Sequence, residues 1–512
     1  MQHSSAQSHV EPLFASIDFG SQSIRSYLYD LQGNMVYRSH IDMDITGSST
    51  YQWQSDPAQL AEVVASMTDD LLSQTIEGAL QKHQISAVSL TCLRNSFVYL
   101  DKNNKPLLPV LYWYQGRRAE QLPKLPWYWR AAFAVVGQTS TIKKLQRQAA
   151  VNWVAEHHPQ AQSNTKHLCQ LSGYLQASLT GNYRDSWANM IAHLPFNFKH
   201  RRWLWPLAWQ WSALNLKPNW LPELCDPGTE LGLYSTQIHG KEADVSVIAG
   251  AADKTCELLG AGVIDADTLF VSLGTAITIN CLVSKFKGPK RFYPAYPSFS
   301  KNYYLAEEML DFGCRVLREF VAWKREHMID DVEVNEDTLS EAHLEEWICH
   351  HLLDAESGIQ LSAQISDICS QLTIVETFDL SACCVADIFN WQQDEPSVNH
   401  RDPESMEQIA KEYLLLLHWL AIQIQDAKGR IERRHNREFK RILVSGGGQQ
   451  SNLLLKLIAD MCQLPVQKAN QVHTGGRGAA IITAVAKGHY TDFESAVSAM
   501  CTAGKVIEPN TL

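Results

Sequence analysis

The chain has 512 residues, 45% of them hydrophobic and 19% charged, which is enough apolar material for at least two large cores and too little charge for a disordered chain. A net charge of −11 argues against a nucleic-acid or membrane-surface partner, because both require a basic face. It leaves room for a nucleotide held by backbone N–H groups and a metal. The first residues, MQHSSAQSHVEP, lack the basic and apolar regions of a signal peptide. No run of about 18 apolar residues occurs, so a cytosolic protein without a membrane span is expected. The twelve cysteines contain no C-x-x-C, and His157–His158 and His350–His351 are adjacent pairs without metal-ligand spacing. The cysteines therefore read as reduced, mostly buried thiols.

In chain order, LFASIDFG, IRSYLYDLQ and MVYRSH predict three strands, with Asp30–Gly33 as the second turn. Residues 57 to 82 predict a helix that opens at Asp56 and Pro57. ISAVSLTCL and NSFVYLDKNNKPLLPVLYW add strands, with DKNNKP as a hairpin loop. A second block begins near residue 245: VSVIAGAAD is a strand, KTCELLGAGV a short helix, and TLFVSLGTAITINCLVS a strand–turn–strand. Its turn, LGTA, is like the DFGS turn of the first block, which suggests a duplicated architecture. Residues 404 to 435 read as a long amphipathic helix, followed by the strand RILVSGGG and helices that open after glycines at QQSNLLLKLIADMCQLPV and GGRGAAIITAVAKGHY. Repeated strand–Gly turn–helix units mean an α/β fold, with a boundary around residues 245 to 250.

The chemistry gathers at four Gly turns: Gly20–Ser21, Gly274–Thr275, Gly446–Gly448 and Gly475–Gly478. Glycine admits close approach of a ligand to the backbone, and free N–H groups beside hydroxyls suit phosphate oxygens. No G-x-x-x-x-G-K-[ST] and no G-x-G-x-x-G behind a first strand is present, which excludes a P-loop and argues against a dinucleotide fold. Asp18 precedes the first turn, where a hairpin alone needs no carboxylate. Asp253 stands between a strand and a helix, as a helix N-cap or as an acceptor for a substrate proton. Lys254 reads as a solvated or structural charge.

In series these segments resemble the FGGY carbohydrate kinases. IDFGSQSIRSYLYDLQGN is similar to the family's first phosphate motif, D-x-G-T-x-S-x-R followed by a strand and D-x-x-G. AGAADKTCELLGAGV is similar to its catalytic segment, VSLGTAITI to its second phosphate motif, and VSGGGQQSNLLLKLIADMCQLPV and GGRGAAIITAVAKG to its adenosine end. The matches run in family order from residue 14 to 490.

The resemblance implies two actin-like domains, 1–247 for the sugar and 248–512 for ATP, with Mg-ATP in the cleft between them. Asp18 would hold Mg²⁺, through water. Gly20, Ser21, Ser23 and Arg25 would face the phosphates from one side, Gly274 and Thr275 from the other. Gly446, Gly447, Gly448, Gln449 and Asn452 would take the adenosine end, and Asp253 would be the general base. On the sugar side, Trp53 and Asp56 resemble an aromatic–acidic segment, and Arg94 falls where glycerol kinases carry an Arg–Glu pair. The next residue here is Asn95, and Gln115 replaces the Asp of the family's W-x-D-x-R, so a glycerol-like substrate is disfavoured.

The expected enzyme is an ATP-dependent kinase of a small sugar or polyol, with a ketopentose favoured and a homodimer compatible. Two other readings stand beside it. One is a non-catalytic sugar- or nucleotide-binding relative in a regulatory role, motivated by Asn95 and Gln115. The other is an actin-like ATPase or chaperone, which the segment around Asp253 argues against.

Overall fold

A computed structural model of the chain describes residues 10–43, 56–290, 293–310, 312–327, 339–353, 365, 368, 406–471 and 473–510. The N-terminal hairpin forms as expected. Strand β1 (Glu11–Phe19) turns into β2 (Ser23–Tyr29), which places Asp18 directly opposite Arg25, and β3 (Met35–Asp42) follows. Helix α1 (Pro57–Ile76) opens with the Asp56 side chain accepting from the Ala58 N–H, and Pro57 takes the first helical position, where no N–H is needed. Strand β4 (His83–Cys92) lies parallel to β1 on its other side. Strands β5 (Glu230–Ile238) and β6 (Lys241–Ile248) complete a sheet of order β5-β6-β4-β1-β2-β3. Helix α2 (Asp253–Gly260) follows β6.

The second unit repeats this plan. Strands β7 (Thr268–Leu273) and β8 (Ile277–Val283) form a hairpin, and β9 (Tyr296–Pro297) and β10 (Tyr304–Leu310) extend it. Helices α3 (Glu341–His351) and α4 (Met406–His435) come next, then strand β11 (Arg441–Ser445), helix α5 (Asn452–Cys462), strand β12 (Val466–Ala469), helix α6 (Thr474–Ala486) and strand β13 (Ala503–Ile507). The sheet order is β9-β10-β8-β7-β11-β12-β13. In each sheet the hairpin strand pairs antiparallel with its return strand, then parallel with the next two strands (β3-β2-β1-β4-β6 beside β10-β8-β7-β11-β12). This is the actin-like architecture, present twice.

Both faces of β1 are covered, which is why its sequence is a nearly continuous apolar run. Leu13, Ala15 and Ile17 pack with Leu60, Val64 and Leu71 of α1, whereas Phe14 faces the core that holds Leu258, Leu259, Ala480 and Ile482 of α2 and α6. Helix α6 of the second unit thus lies under the first sheet. It can do so because its backbone touches that of α2: a Cβ on Gly478 would stand 1.9 Å from the Cys256 carbonyl oxygen, and one on Gly260 1.9 Å from that of Thr474. Helix α4 covers the second sheet through Tyr413, Leu417, Leu420 and Ile424.

Two expectations need correction. The first helix stops at Ile76 rather than 82, where the Glu77 and Gly78 N–H groups both turn back to the Ser73 carbonyl and the chain leads into β4. The DKNNKP loop closes by hydrogen bonds between Asp101 and Lys105, but its far arm is not a strand. Phe97–Leu100 pairs instead with His167–Gln170, because Pro106 and Pro109 remove the donors that a full ladder would use. None of the nine described cysteines is in a disulfide, and six of them are buried. Among the described residues no helix is long and apolar enough to cross a membrane.

Candidate active site

The ends of the two hairpins face each other across a cavity of about 900 Å³. Asp18, Gly20, Ser21 and Arg25 line it from the first unit, Gly274, Thr275, Gly446–Gly448 and Asn452 from the second, and Asp253 of α2 lies between them. At the first turn the Gly20 N–H donates to the Ser23 carbonyl. Arg25 Nη1 lies 3.9 Å from Asp18 Oδ2, as their cross-strand register dictates. Burial pushes the Asp18 carboxyl up to about 6; Arg25 offsets part of this, and the charges of Asp253 and Glu257 add to it. The helix carrying Gly475 passes so close that a Cβ there would sit 3.3 Å from the Asp18 carboxylate.

Asp253 is the first residue of α2, but it does not cap the helix. Ala252 occupies the N-cap with no side-chain bond. Asp253 Oδ1 is buried with no hydrogen-bond partner and lies 3.9 Å from Arg94 Nε. Arg94 in turn binds Glu307 of β10, Nη2 to Oε1 at 2.6 Å, so that the pair spans the two units. Arg94 Nη1 and Glu307 Oε2 are likewise buried without partners, and the Arg94 guanidinium lies 5.9 Å from the centre of the Tyr296 ring. Three unpartnered polar atoms, one a donor and two acceptors, thus belong to three side chains joined through Arg94.

The Gly446–Gly448 turn divides its labour. Gly446 adopts φ +87°, and a Cβ on it would strike the Leu273 carbonyl at 2.6 Å. A Cβ on Gly448 would meet Cys314 Sγ at 2.4 Å, whereas one on Gly447 would meet nothing within 4 Å and would project into open space. Only Gly447, then, is small without a packing reason in the protein itself.

Not every expected residue reaches the cavity. Ser23 is buried under the first turn, and Gln449 is buried behind the glycine turn; Gln450 and Ser451 line the cavity instead. Neighbours in sequence point to opposite sides of a turn, which turns these two away from the cavity. Asn95 adopts φ +53° and organises backbone, its Oδ1 accepting from the His193 N–H while its own N–H donates to Gln170. Asp56 is occupied as the cap of α1, and Gln115 closes its own short turn by accepting from the Tyr112 N–H. Trp53, and most of residues 325 to 400, lie outside the described residues. Asn452 does line the cavity, where its Oδ1 accepts from Lys468.

Several acidic or basic groups were not legible as site residues. Glu307 has no motif around it. Lys254 is no solvated charge: it lines the cavity and is paired with Glu257, which also lines it. Helix α3 adds Glu341, Glu345 and Glu346 to the wall. Among the described residues no three His, Cys, Asp or Glu side chains converge as a cation cage. A single hard carboxylate such as Asp18 is the donor set that suits Mg²⁺, an ion that keeps much of its water and is completed by phosphate oxygens.

Known proteins resemble the chain over almost its whole length. Residues 13–260 match the profile described as FGGY family of carbohydrate kinases, N-terminal domain, and residues 270–487 match the C-terminal domain of the same family. The chain is 24% identical over 507 residues to the uncharacterized sugar kinase YgcE of Escherichia coli strain K12, covering 96% of this chain and 88% of that one. It is 20% identical over 508 residues to the xylulose kinase of Lactococcus lactis, covering 94% and 89%. The solved gluconate kinase of Lactobacillus acidophilus superposes with a TM-score of 0.70 at 18% identity, covering 98% of this chain and 94% of that one.

Proposed function

The chain belongs to the FGGY family of carbohydrate kinases, which phosphorylate sugars at the expense of ATP, and we propose that it acts through Asp253 on a neutral polyhydroxyl substrate of ketopentose type. The observation that carries the reading is the Asp253 carboxylate. Its Oδ1 is buried, unpartnered and free of any capping duty, which is costly unless a ligand hydroxyl completes it. In the reaction the substrate O–H proton passes to Asp253 while the hydroxyl oxygen forms its bond to the γ-phosphorus. The bond from that phosphorus to the bridging β-oxygen breaks, and its electron pair leaves with ADP.

Gly20, Ser21, Gly274 and Thr275 would cradle the phosphates from the two facing turns, Arg25 would clamp the transferring group, and Gly447 and Asn452 would face the adenosine end. Asp18 would hold Mg²⁺, which when bound neutralises the charge that builds on the phosphate oxygens. Division of the chain into a sugar domain, 1–247, and an ATP domain, 248–512, suits this arrangement. The first sheet ends at Ile248, and the second begins at Thr268.

Charge argues for a neutral sugar. Arg94 is the cation nearest Asp253 on the sugar side, and Glu307 already neutralises it. A substrate carboxylate at this place would meet Asp253 and Glu307, with Arg94 already paired to Glu307, whereas hydroxyls can both donate to Asp253 and Glu307 and accept from Arg94. The relative named a xylulose kinase supports the same substrate class, whereas the gluconate kinase that superposes on the chain is named for an aldonate. The test is ADP release over a panel of ketopentoses, alditols and aldonates. A preference for aldonates would overturn the neutral-sugar reading, and turnover by none of them would overturn the kinase reading.

A further inference from the structure

Glu257 stands one helical turn beyond Asp253 on α2, and its carboxylate is the meeting point of three elements. Oε1 accepts from Ser272 Oγ at 2.7 Å and from Ser445 Oγ at 2.6 Å, and Oε2 accepts from Lys254 Nζ at 2.7 Å. Lys254 Nζ also donates to Ser272 Oγ at 3.0 Å. The two serines are register partners on the parallel strands β7 and β11. Ser445 immediately precedes the Gly446–Gly448 turn, and Ser272 stands two residues before Gly274. One carboxylate therefore ties both turns of the second unit to the helix that begins at Asp253.

The charges at this point are kept despite burial. Burial pushes the Glu257 carboxyl up, but Lys254 and the two serine hydroxyls outweigh it and hold the group below the usual carboxylate range. Burial likewise pushes Lys254 down, and Glu257 and Asp253 outweigh it and leave the ammonium above its ordinary value. A desolvated ion pair is a weak source of stability, and an apolar wall of the same shape would hold the fold as well. Lys254 has three N–H donors and uses two of them on Glu257 and Ser272. It lines the cavity together with Asp253 and Gly274.

We infer that Glu257 is a positioning residue that fixes both nucleotide turns relative to Asp253, and that the Lys254 ammonium it holds binds the γ-phosphoryl group of ATP. The inference rests on the kinase reading above. It adds to the site a cation carried by the catalytic helix rather than by a strand of either sheet. Removal of Lys254 should therefore be felt by ATP and hardly by ADP, whereas removal of the Glu257 charge should loosen both turns and be felt by both nucleotides.

Calorimetry of Mg·ATP and Mg·ADP on the full chain, with steady-state kinetics on an accepted sugar, decides the matter. Lys254→Met should weaken ATP binding about tenfold or more and ADP binding less than about threefold, and kcat should fall about 10²-fold with the sugar KM little changed. Lys254→Arg should recover part of both losses. Glu257→Gln should weaken both nucleotides and lower kcat, and Ser445→Ala should do the same more mildly without adding to Glu257→Gln in the double variant. Should Glu257→Gln fail to fold, Ser445→Ala carries that arm. Equal effects of Lys254→Met on ATP and ADP would overturn the Lys254 assignment. Nucleotide affinity and kcat within twofold of wild type in both Glu257→Gln and Ser445→Ala would overturn the positioning role. Failure of the kinase reading looks different: a wild type that binds ATP but turns over no sugar refutes that reading, while the ATP-over-ADP difference still decides Lys254. A wild type that binds no ATP overturns both.

Discussion

Replacement of Asp253 by Asn separates chemistry from architecture. Asn keeps the volume and one acceptor oxygen but cannot take a proton. Asp253 caps nothing, so the helix loses the favourable placement of a negative charge in its first turn, about 0.3–1 kcal/mol, while Arg94, 3.9 Å away, keeps Glu307 as its counter-charge. Against that, a buried and unpartnered carboxylate oxygen becomes neutral, which recovers free energy of similar size. The net change in stability should stay within about 1 kcal/mol, a shift in unfolding temperature of no more than about 4 °C. The Arg94–Glu307 pair at 2.6 Å does not depend on Asp253 and should persist. Loss of general-base assistance alone removes about 10²–10⁴-fold in rate, or about 3–5 kcal/mol of transition-state stabilisation. A coupled ADP-release assay on the accepted sugar should therefore show kcat down at least about 10²-fold, with ATP affinity nearly unchanged by calorimetry. Sugar affinity should drop as well, because Asp253 accepts from the hydroxyl before the reaction begins. A kcat within a few-fold of wild type in a folded protein would remove Asp253 from the mechanism.

Gly447→Val should fold normally, because a Cβ at this position meets nothing within 4 Å, yet weaken ATP binding by filling the nucleotide's space; unchanged affinity by calorimetry would withdraw the adenosine assignment. The Asp18 carboxyl, raised by burial to about 6, must lose its proton to hold a cation. Binding of Mg·ATP should accordingly release a proton near pH 6 and weaken as pH falls below it. Asp18→Asn should abolish that proton release, and calorimetry in buffers of different ionisation enthalpy reads it directly; equal release in wild type and Asp18→Asn would refute the role. Arg94→Ala strands the Glu307 carboxylate, only 5% exposed, without its partner and should destabilise the fold by about 3–5 kcal/mol. Chemical denaturation should show much of that loss recovered in the Arg94→Ala/Glu307→Ala double variant; a double variant as unstable as the sum of the singles would mean that the two side chains do not act as a pair.

The duplicated hairpins, the α/β class and the turn residues Asp18, Gly20, Gly274 and Gly446–Gly448 are legible in the sequence, because each is a local pattern. A strand's apolar run, a glycine that the backbone requires and a carboxylate beside it all fall within a few residues of one another. Turn geometry already blurs this at single-residue scale, which is how Ser23 and Gln449 come to lie behind the turns they belong to. Lys254 shows the next limit. Its place beside Asp253 and its pairing with Glu257 three residues on are local, but its bond to Ser272 is not, since Ser272 lies on another element. Glu307 meets Arg94 across 213 residues, and Glu257 meets Ser445 across 188. No spacing rule reaches that far, because such contacts are created when the two sheets close around α2 and α6. Helix and strand periodicity govern what one element presents to its surroundings. Which charge finds which partner is decided by the packing of elements distant in sequence, and there the burial of an ion is tolerated only if a counter-charge arrives with it.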